Sequence, residues 1–340
     1  MNTIGFPGFG IGPFTINRVA FTVPFIGLDI LWYAVILTAS ILCGIFYTFW
    51  RAKKSEGVST DDITDVAIFT VPAAIIGARI YYVIFNFGNF RTVASMFNTR
   101  AGGLAIYGAI IASAAVAFAV CRFKSRKSKG RTLSTLKVFD AAAPGIMLGQ
   151  IIGRWGNFVG AEAHGTATEL PWRMSILGVG EVHPTFLYES LWNLLGFAIV
   201  NLIYHRKKFS GQIFLTYITW YGFGRMLIEG LRTDSLMLGD LRVSQVLGGL
   251  CFVAGLILII WLTGKAKIKE LENDPGYQAV YSAALAKITE ASAEAEITVA
   301  EAAEPVPENT ETKENTENTG NTENSEETEP EAEPETGTHN

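Results

Sequence analysis

The sequence predicts an all-α polytopic membrane protein with about seven transmembrane helices. Hydrophobic residues make up 49% of the 340-residue chain and charged residues only 17%, a balance that is too apolar for an ordinary soluble domain. Several segments are long and apolar enough to cross a bilayer, and basic residues cluster in alternate loops between them. These observations together favour an integral membrane protein over a soluble one.

Seven segments meet the length that a membrane helix needs, which is about 20 mostly apolar residues. They are residues 29–50, 65–87, 104–122, 138–158, 185–205, 213–231 and 243–264. The fourth is rich in Gly and Ala and contains Pro144, and the sixth ends in charged residues. We expect both to pack among other helices, where small residues permit close approach and polar ends can face a cavity.

The distribution of Lys and Arg predicts the orientation of these segments. The loops after the first, third, fifth and seventh segments carry 16 basic residues, and the opposite side carries six. Because cytoplasmic loops are enriched in basic residues, we expect the N-terminus outside and the C-terminus in the cytoplasm. The N-terminus lacks the basic region and cleavage site of a signal peptide, so the first segment is expected to stay in the protein.

The last 70 residues differ in composition from the rest of the chain. Residues 271–340 hold 18 of the 32 acidic residues and only two bases, with repeated Thr-Glu-Asn units. Such a segment cannot bury enough apolar surface to offset its ordering entropy. We therefore expect a membrane domain over residues 1–270 and a disordered acidic cytoplasmic tail over 271–340, with room for a short helix between 270 and 300.

Polar and charged side chains collect at the outer ends of the predicted helices. Arg154 and Asn157 are three residues apart, and Arg225, Glu229 and Arg232 follow an i, i+4, i+7 pattern, so each set shares one helical face. The other members of this group are Tyr33, Arg79, Tyr107, His183, Glu189 and Gln245. We expect them to line one cavity that opens toward the outer leaflet.

Each of these residues also has a plainer interpretation. Arg232 can extend to the interface, Arg225 and Glu229 can form a structural pair, and Arg79 can neutralise a buried acid. Several arginines and carboxylates at one depth nevertheless favour a shared function. Guanidinium groups bind phosphate through paired hydrogen bonds, so an anionic phospholipid is the expected ligand, and nearby Glu, His or Tyr groups suggest acid–base chemistry.

The cysteines and histidines do not predict a metal site. The three cysteines are scattered through apolar segments, and the four histidines lack ligand spacing. We expect no metal, no cofactor and no nucleic-acid partner.

Several motifs in order resemble those of the prolipoprotein diacylglyceryl transferase family. The strongest is GRWGNFVGAEAHG at 153–165, which contains Arg154, Asn157 and Glu162. The supporting motifs are WY at 32–33, GGLAIYGA at 102–109, HPTFLYES at 183–190, GRMLIEGLR at 224–232 and SQ at 244–245. The resemblance covers roughly residues 25–265.

The resemblance implies a reaction in the bacterial plasma membrane. The diacylglyceryl group of phosphatidylglycerol would pass to the lipobox cysteine thiol of a prolipoprotein signal peptide, forming a thioether and releasing glycerol 1-phosphate. Arg154 and Arg225 would stabilise the departing phosphate, with Tyr107 and Glu162 as further catalytic residues. Substrate contacts would come from Tyr33, Asn157, Glu229, Arg232, His183 and Gln245.

The chain departs from the family pattern at three positions. Tyr107 stands where many members have histidine, Gly160 replaces an asparagine, and Ala34 replaces a glycine. A neutral phenol, with a pKa of about 10, is a poor base, so Tyr107 is expected to orient substrate or relay a proton. Glu162, His183 and the bound phosphate remain alternative proton acceptors for the thiol.

Two other functions remain compatible with the sequence. A membrane anion transporter would also need intramembrane arginines, although internal repeats and polar groups at the midplane are typical of transporters and neither is evident here. The second alternative function is that of a non-catalytic lipid-binding membrane protein. In the enzyme, the outer loops 88–103 and 159–184 are expected to cover the pocket or guide the lipobox.

Overall fold

The computed structural model describes residues 1–25, 27–90, 92–99, 102–127 and 133–302. Four of the basic residues used to predict the orientation (Arg91, Arg100, Lys129 and Arg131) and the end of the predicted tail, 303–340, lie outside this part. The chain divides into two compact units, of which the first is Met1–Asp274 and the second begins at Pro275. In the second unit, residues Pro275–Ala302 form a helix of 28 residues, which overlaps the region 270–300 where the sequence leaves room for a short one.

The first unit is mostly helical. Its helices are α1 (Trp32–Ser55), α2 (Thr60–Phe85), α3 (Val93–Phe97), α4 (Ile106–Lys127), α5 (Thr135–Gly160), α6 (Thr185–Ile203), α7 (Gln212–Ile228) and α8 (Val243–Glu272). In the described part of the chain, α1, α2, α4, α5, α6 and α8 are long and apolar enough to cross a membrane. The prediction of a polytopic membrane protein is confirmed at this level.

The predicted sixth span differs from the other six. It corresponds to α7, which has 17 residues and ends at Ile228, followed by a 3-10 turn over Glu229–Leu231. At about 1.5 Å per residue it is roughly 25 Å long, shorter than a hydrocarbon layer of about 30 Å. A seventh crossing therefore stays a prediction.

The description "all-α" is wrong in one respect, because the described part also contains eight short strands. They are β1 (Asn2–Phe6), β2 (Ile11–Ile16), β3 (Val19–Val23), β4 (Leu28–Leu31), β5 (Met174–Ile176), β6 (Gly180–Val182), β7 (Met237–Leu238) and β8 (Leu241–Arg242). A four-stranded sheet has the order β2-β1-β5-β6, and the rest form two hairpins. Strands of two to six residues give little local pattern, and the β1–β5 pairing joins segments about 170 residues apart.

Small residues let pairs of helices approach closely. A Cβ atom on Gly77 of α2 would lie 2.6 Å from the carbonyl oxygen of Gly108 in α4, and one on Gly222 of α7 would lie 2.6 Å from that of Gly248 in α8. Such contacts are typical of helix packing in membranes, where backbone proximity replaces the hydrophobic driving force.

A buried carboxylate fixes the start of α7. Asp140, inside α5 and fully buried, accepts hydrogen bonds from the backbone N–H groups of Gly211 (2.8 Å) and Phe214 (3.0 Å). Lys207 joins Asp140 to the buried Glu56. A carboxylate at a helix N-terminus satisfies unpaired N–H groups and interacts favourably with the helix dipole. This cap anchors α7, which carries Arg225 at its other end.

Candidate functional site

Three arginines from separate segments converge on one buried carboxylate, Glu189 in the first turns of α6. Arg154, near the end of α5, forms an ion pair with Glu189 Oε2. Arg232 Nη1 lies 2.9 Å from Oε1, and Arg225 Nη1 lies 3.4 Å from both oxygens. The Glu189 side chain is 4% exposed. We call these four residues the arginine centre.

Two further carboxylates complete the charge balance of the arginine centre. Glu229 Oε2 lies 2.6 Å from Arg225 Nη2, an i, i+4 pair. Asp234 accepts two hydrogen bonds from Arg232, one from Nε to Oδ1 at 3.0 Å and one from Nη2 to Oδ2 at 2.8 Å. Paired hydrogen bonds of this kind fix both distance and orientation. Arg232 is therefore the most firmly held of the three arginines.

The ionisation of the Arg232–Asp234 pair follows from this contact. Burial opposes the charged form of Asp234, but the hydrogen bonds and charge of Arg232 outweigh it, so the pKa of Asp234 lies below its usual value. Burial also opposes the charge of Arg232, yet Asp234 and Glu189 raise the pKa of that guanidinium. The pair is thus charged at neutral pH.

Arg232 contacts Glu189 from a non-helical segment that follows α7, and not from the helical face that the sequence predicts. The i, i+4, i+7 expectation is wrong at its last step, because α7 ends at Ile228 and Arg232 has extended backbone angles (φ −78°, ψ 146°). Arg242 holds this non-helical segment, donating to the carbonyl oxygens of Glu229 (2.8 Å) and Arg232 and to Ser235 Oγ (2.9 Å). The contact with Glu189 is made by tertiary folding, not by helix periodicity.

The signature segment after α5 is joined to the arginine centre by backbone hydrogen bonds. Gly165 N donates to His183 O (3.0 Å), His183 N to Thr166 O (3.0 Å), and Thr166 N to Leu231 O (2.8 Å). A Cβ on Gly165 would lie 2.6 Å from the Cβ of His183 and 3.0 Å from Leu231 O, so only glycine fits there. This packing sets the segment against the start of α6 and the turn before Arg232.

Glu162 lies between two residues with left-handed backbone angles. Ala161 has φ 54° and Ala163 φ 55°, a conformation that is uncommon for residues other than glycine and that persists only when the surroundings enforce it. The glutamate contacts Arg18, with Oε1 3.1 Å from Nη2, and among the described residues its side chain forms no ion pair with the arginine centre. The strained turn thus directs Glu162 to a second place, close to the start of α1.

That second place is a small cavity that includes Tyr33. Its volume is about 50 Å³, and its lining residues are Arg18, Leu31, Tyr33, Val159, Gly160 and Glu162. The ring of Tyr33 packs over Gly156, where a Cβ would lie 3.1 Å from Cδ2. One arginine, one carboxylate and one phenol therefore face a common space next to the signature segment.

The remaining predicted residues have these partners. Tyr107, in the first turn of α4, has its hydroxyl 3.0 Å from Ser244 Oγ, and the neighbouring Gln245 donates to Met226 O at 3.0 Å. His183 Nδ1 lies 3.2 Å from the hydroxyl of Tyr188. The side-chain amide of Asn157 has no hydrogen-bond partner within the described residues. Gln245 thus supports α7, whereas Asn157 is left available to a ligand.

The structure gives roles to residues for which the sequence predicts none. The sequence places Glu189 in the polar group expected to line the cavity but assigns it no catalytic or substrate contact, and the signal for its central position is that it is a lone acid in the first turns of an apolar helix. Nothing local in the sequence pointed to Arg18 or Asp234. Among the described residues, no group of three or more His, Cys, Asp or Glu side chains could hold a metal ion.

The fold and these two clusters define a multi-pass membrane protein with fixed guanidinium groups next to a small polar cavity, the class expected to bind an anionic headgroup. The family model for prolipoprotein diacylglyceryl transferase matches residues 18–261. The chain belongs to this family.

Curated relatives support the assignment over most of their length. The chain is 42% identical over 252 residues to the phosphatidylglycerol–prolipoprotein diacylglyceryl transferase of Clostridioides difficile (strain 630), covering 74% of this chain and 97% of the relative. The enzyme of the same name from Finegoldia magna is 44% identical over 246 residues, covering 72% and 95%. That of Limosilactobacillus reuteri is 40% identical over 291 residues, covering 82% and 94%.

Proposed function

We propose that this protein transfers the diacylglyceryl group of phosphatidylglycerol to the lipobox cysteine thiol of prolipoproteins. The products are a thioether and glycerol 1-phosphate. The observation that carries this proposal is the convergence of Arg154, Arg225 and Arg232 on the buried Glu189, in a chain that belongs to the transferase family.

The three arginines divide into two roles by exposure. The side chains of Arg154 and Arg225 are 19% and 18% exposed, and that of Arg232 is 9% exposed and doubly bonded to Asp234. Arg154 and Arg225 are therefore the groups that a phosphate can reach, while Arg232 holds Glu189 in place. A preorganised pair of guanidinium groups stabilises charge that develops on a departing phosphate without reorganisation of solvent.

The bond changes define what the rest of the site must do. The sulfur attacks the glyceryl carbon, the bond from that carbon to the phosphate oxygen breaks, and the electron pair leaves with glycerol 1-phosphate. The thiol must lose its proton, because the thiolate is the nucleophile. Glu162, His183 and the bound phosphate are the three candidate acceptors. Tyr107, hydrogen-bonded to Ser244, would orient substrate, and the free amide of Asn157 would bind the headgroup.

The proposal extends to the placement of the chain in the plasma membrane. The excess of basic residues in alternate loops supports seven crossings, an outer N-terminus and a cytoplasmic acidic tail over 271–340. The site would then face the outer leaflet, where phosphatidylglycerol and exported prolipoproteins both arrive by lateral diffusion. The loops 88–103 and 159–184 would border its entrance.

Transfer to a lipobox peptide tests the function directly. We expect the purified full-length protein in phosphatidylglycerol vesicles to increase the peptide mass by one diacylglyceryl unit, while a peptide with serine in place of the cysteine stays unmodified. Binding of lipid and peptide without this mass increase would contradict the enzyme assignment and favour a lipid-binding protein.

A further inference from the structure

All five N–H groups of one guanidinium, that of Arg79 in α2, donate to backbone carbonyl oxygens of the loop that joins α2 to α4, which includes the short helix α3. Nε donates to Met96 at 2.8 Å. Nη1 donates to Gly102 at 3.1 Å and Gly103 at 2.9 Å, and Nη2 to Ser95 at 3.0 Å and Asn98 at 2.7 Å. These bonds use the whole donor capacity of an arginine. Within the described part of the chain, Arg79 forms no ion pair, so its partners are carbonyl dipoles and not an acid.

The same loop has an apolar outer surface. The side chains of Phe87, Val93 and Phe97 are 65%, 69% and 78% exposed, and the loop follows directly from α2, a candidate membrane span. Irregular backbone near the hydrocarbon region is costly unless its carbonyl groups find donors. Arg79 supplies five such donors, which would allow this loop to lie at the membrane interface with its aromatic side chains toward lipid.

The loop ends at the helix that carries Tyr107. Ala105 N donates to Ala78 O, beside Arg79, at 3.1 Å. Gly103 has φ +80°, and a Cβ there would lie 2.5 Å from Arg79 Nη1. The contacts of Gly103 and Ala105 with α2 therefore hold the start of α4 against α2, within one turn of Tyr107. Tyr107, whose hydroxyl lies 3.0 Å from Ser244 Oγ, follows this junction directly in the first turn of α4.

We propose that Arg79 is a positioning residue for the transfer reaction. It holds residues 92–99 and 102–103 of this loop at the membrane interface and, through them, places Tyr107 where lipid and peptide meet. This inference rests on the proposed function, and it adds a residue that does not itself touch substrate.

A double-mutant cycle between Arg79→Lys and Tyr107→Phe tests this inference, with kcat and KM measured for transfer in phosphatidylglycerol vesicles. Lysine keeps the charge but cannot span five carbonyl groups, so we expect kcat to fall about tenfold with little change in KM, the signature of lost transition-state contacts. If Arg79 acts through Tyr107, the same substitution in the Tyr107→Phe background should cost less than about twofold, because coupled residues are not additive.

A second variant and a control separate positioning from general destabilisation. Gly103→Ala disturbs the same junction without touching the charge, and it should show the same loss of kcat and the same non-additivity with Tyr107→Phe. Arg122→Lys, at the exposed opposite end of α4, should keep wild-type kinetics. Amide hydrogen exchange in residues 92–99 should rise in Arg79→Lys and stay unchanged in Arg122→Lys.

Three results would overturn the inference: additive losses in the cycle, unchanged kcat in both Arg79→Lys and Gly103→Ala, or unchanged exchange in the loop. Absence of transfer by the wild-type protein would instead count against the proposed function, and the exchange measurement would still report on the loop.

Discussion

At the scale of single residues, the site is an arrangement of charges in which one carboxylate forms ion pairs with three arginines. Glu189 contacts Arg154, Arg225 and Arg232, and the spare charge is balanced by Glu229 and Asp234. Buried charges are retained at a high desolvation cost unless they are paired. The arrangement therefore keeps two guanidinium groups accessible and oriented without leaving any of them unpaired.

Removing either accessible arginine should abolish most activity. Arg154→Ala and Arg225→Ala each delete a group that we propose donates to the departing phosphate, and we expect kcat to fall by roughly 10²- to 10³-fold, the range for loss of one preorganised donor. The measurement is mass gain of a lipobox peptide at saturating phosphatidylglycerol. Arg122→Ala, an exposed residue near the end of α4 opposite Tyr107, is the control and should keep full activity. Full activity in both site variants would refute their role.

The Arg232–Asp234 pair should stabilise the folded protein near neutral pH and lose that contribution in acid. The pKa of Asp234 is lowered in the folded protein, so its contribution is complete above the unfolded value of about 3.9 and is lost as pH falls through the lower folded value. Asp234→Asn should therefore lower Tm between pH 5 and 8 by a constant amount, with the difference from wild type shrinking below about pH 4. Thermal unfolding in detergent across this range measures it. A difference that grows in acid would contradict the assignment.

At the scale of elements, close helix packing decides where the functional side chains stand. The glycine contacts between α2 and α4 and between α7 and α8 hold together the helices that carry Tyr107 and Arg225. The cap on α7 by Asp140 acts from the other end. Helix propensity alone would disfavour these glycines, so their presence reflects packing.

Two glycine-to-alanine substitutions test the role of close packing, because we expect them to change the stability of the protein in opposite directions. A Cβ on Gly77 would lie 2.2 Å from Ala112 Cβ, whereas one on Gly264 would meet nothing within 4 Å. Gly77→Ala should destabilise the protein by about 1 to 3 kcal/mol through overpacking. Gly264→Ala should be neutral or stabilising by up to about 1 kcal/mol, because alanine favours helix. Denaturation in mild detergent gives both values, and a stabilised Gly77→Ala would show that the interface is loose.

At the scale of the whole molecule, charge asymmetry predicts how the chain lies in the membrane. Without residues 271–340 the chain carries 25 basic and 14 acidic residues, and most of the bases fall in loops on one side. Positive loops are retained in the cytoplasm. This orientation would place the arginine centre near the outer leaflet.

Labelling of single cysteines in intact cells tests that orientation. An impermeant thiol reagent should modify a cysteine introduced at Ser235, beside the arginine centre, and should not modify one introduced at Ser210, between α6 and α7. Permeabilised cells supply the control, because both positions should then react. Labelling of position 210 alone in intact cells would place the site on the cytoplasmic side.

The sequence by itself determined the membrane class, six of the long helices and the family motifs, because hydropathy, helical spacing and charge bias are local properties of the chain. It also indicated the pairing of Arg225 with Glu229, which are four residues apart on one helix. Only the tertiary structure decided that Glu189 joins three arginines, that Glu162 turns to Arg18, and that Arg79 binds a loop instead of an acid. Those partners are separated by 16 to 144 residues, and contacts over such distances depend on how helices pack, which no local pattern specifies.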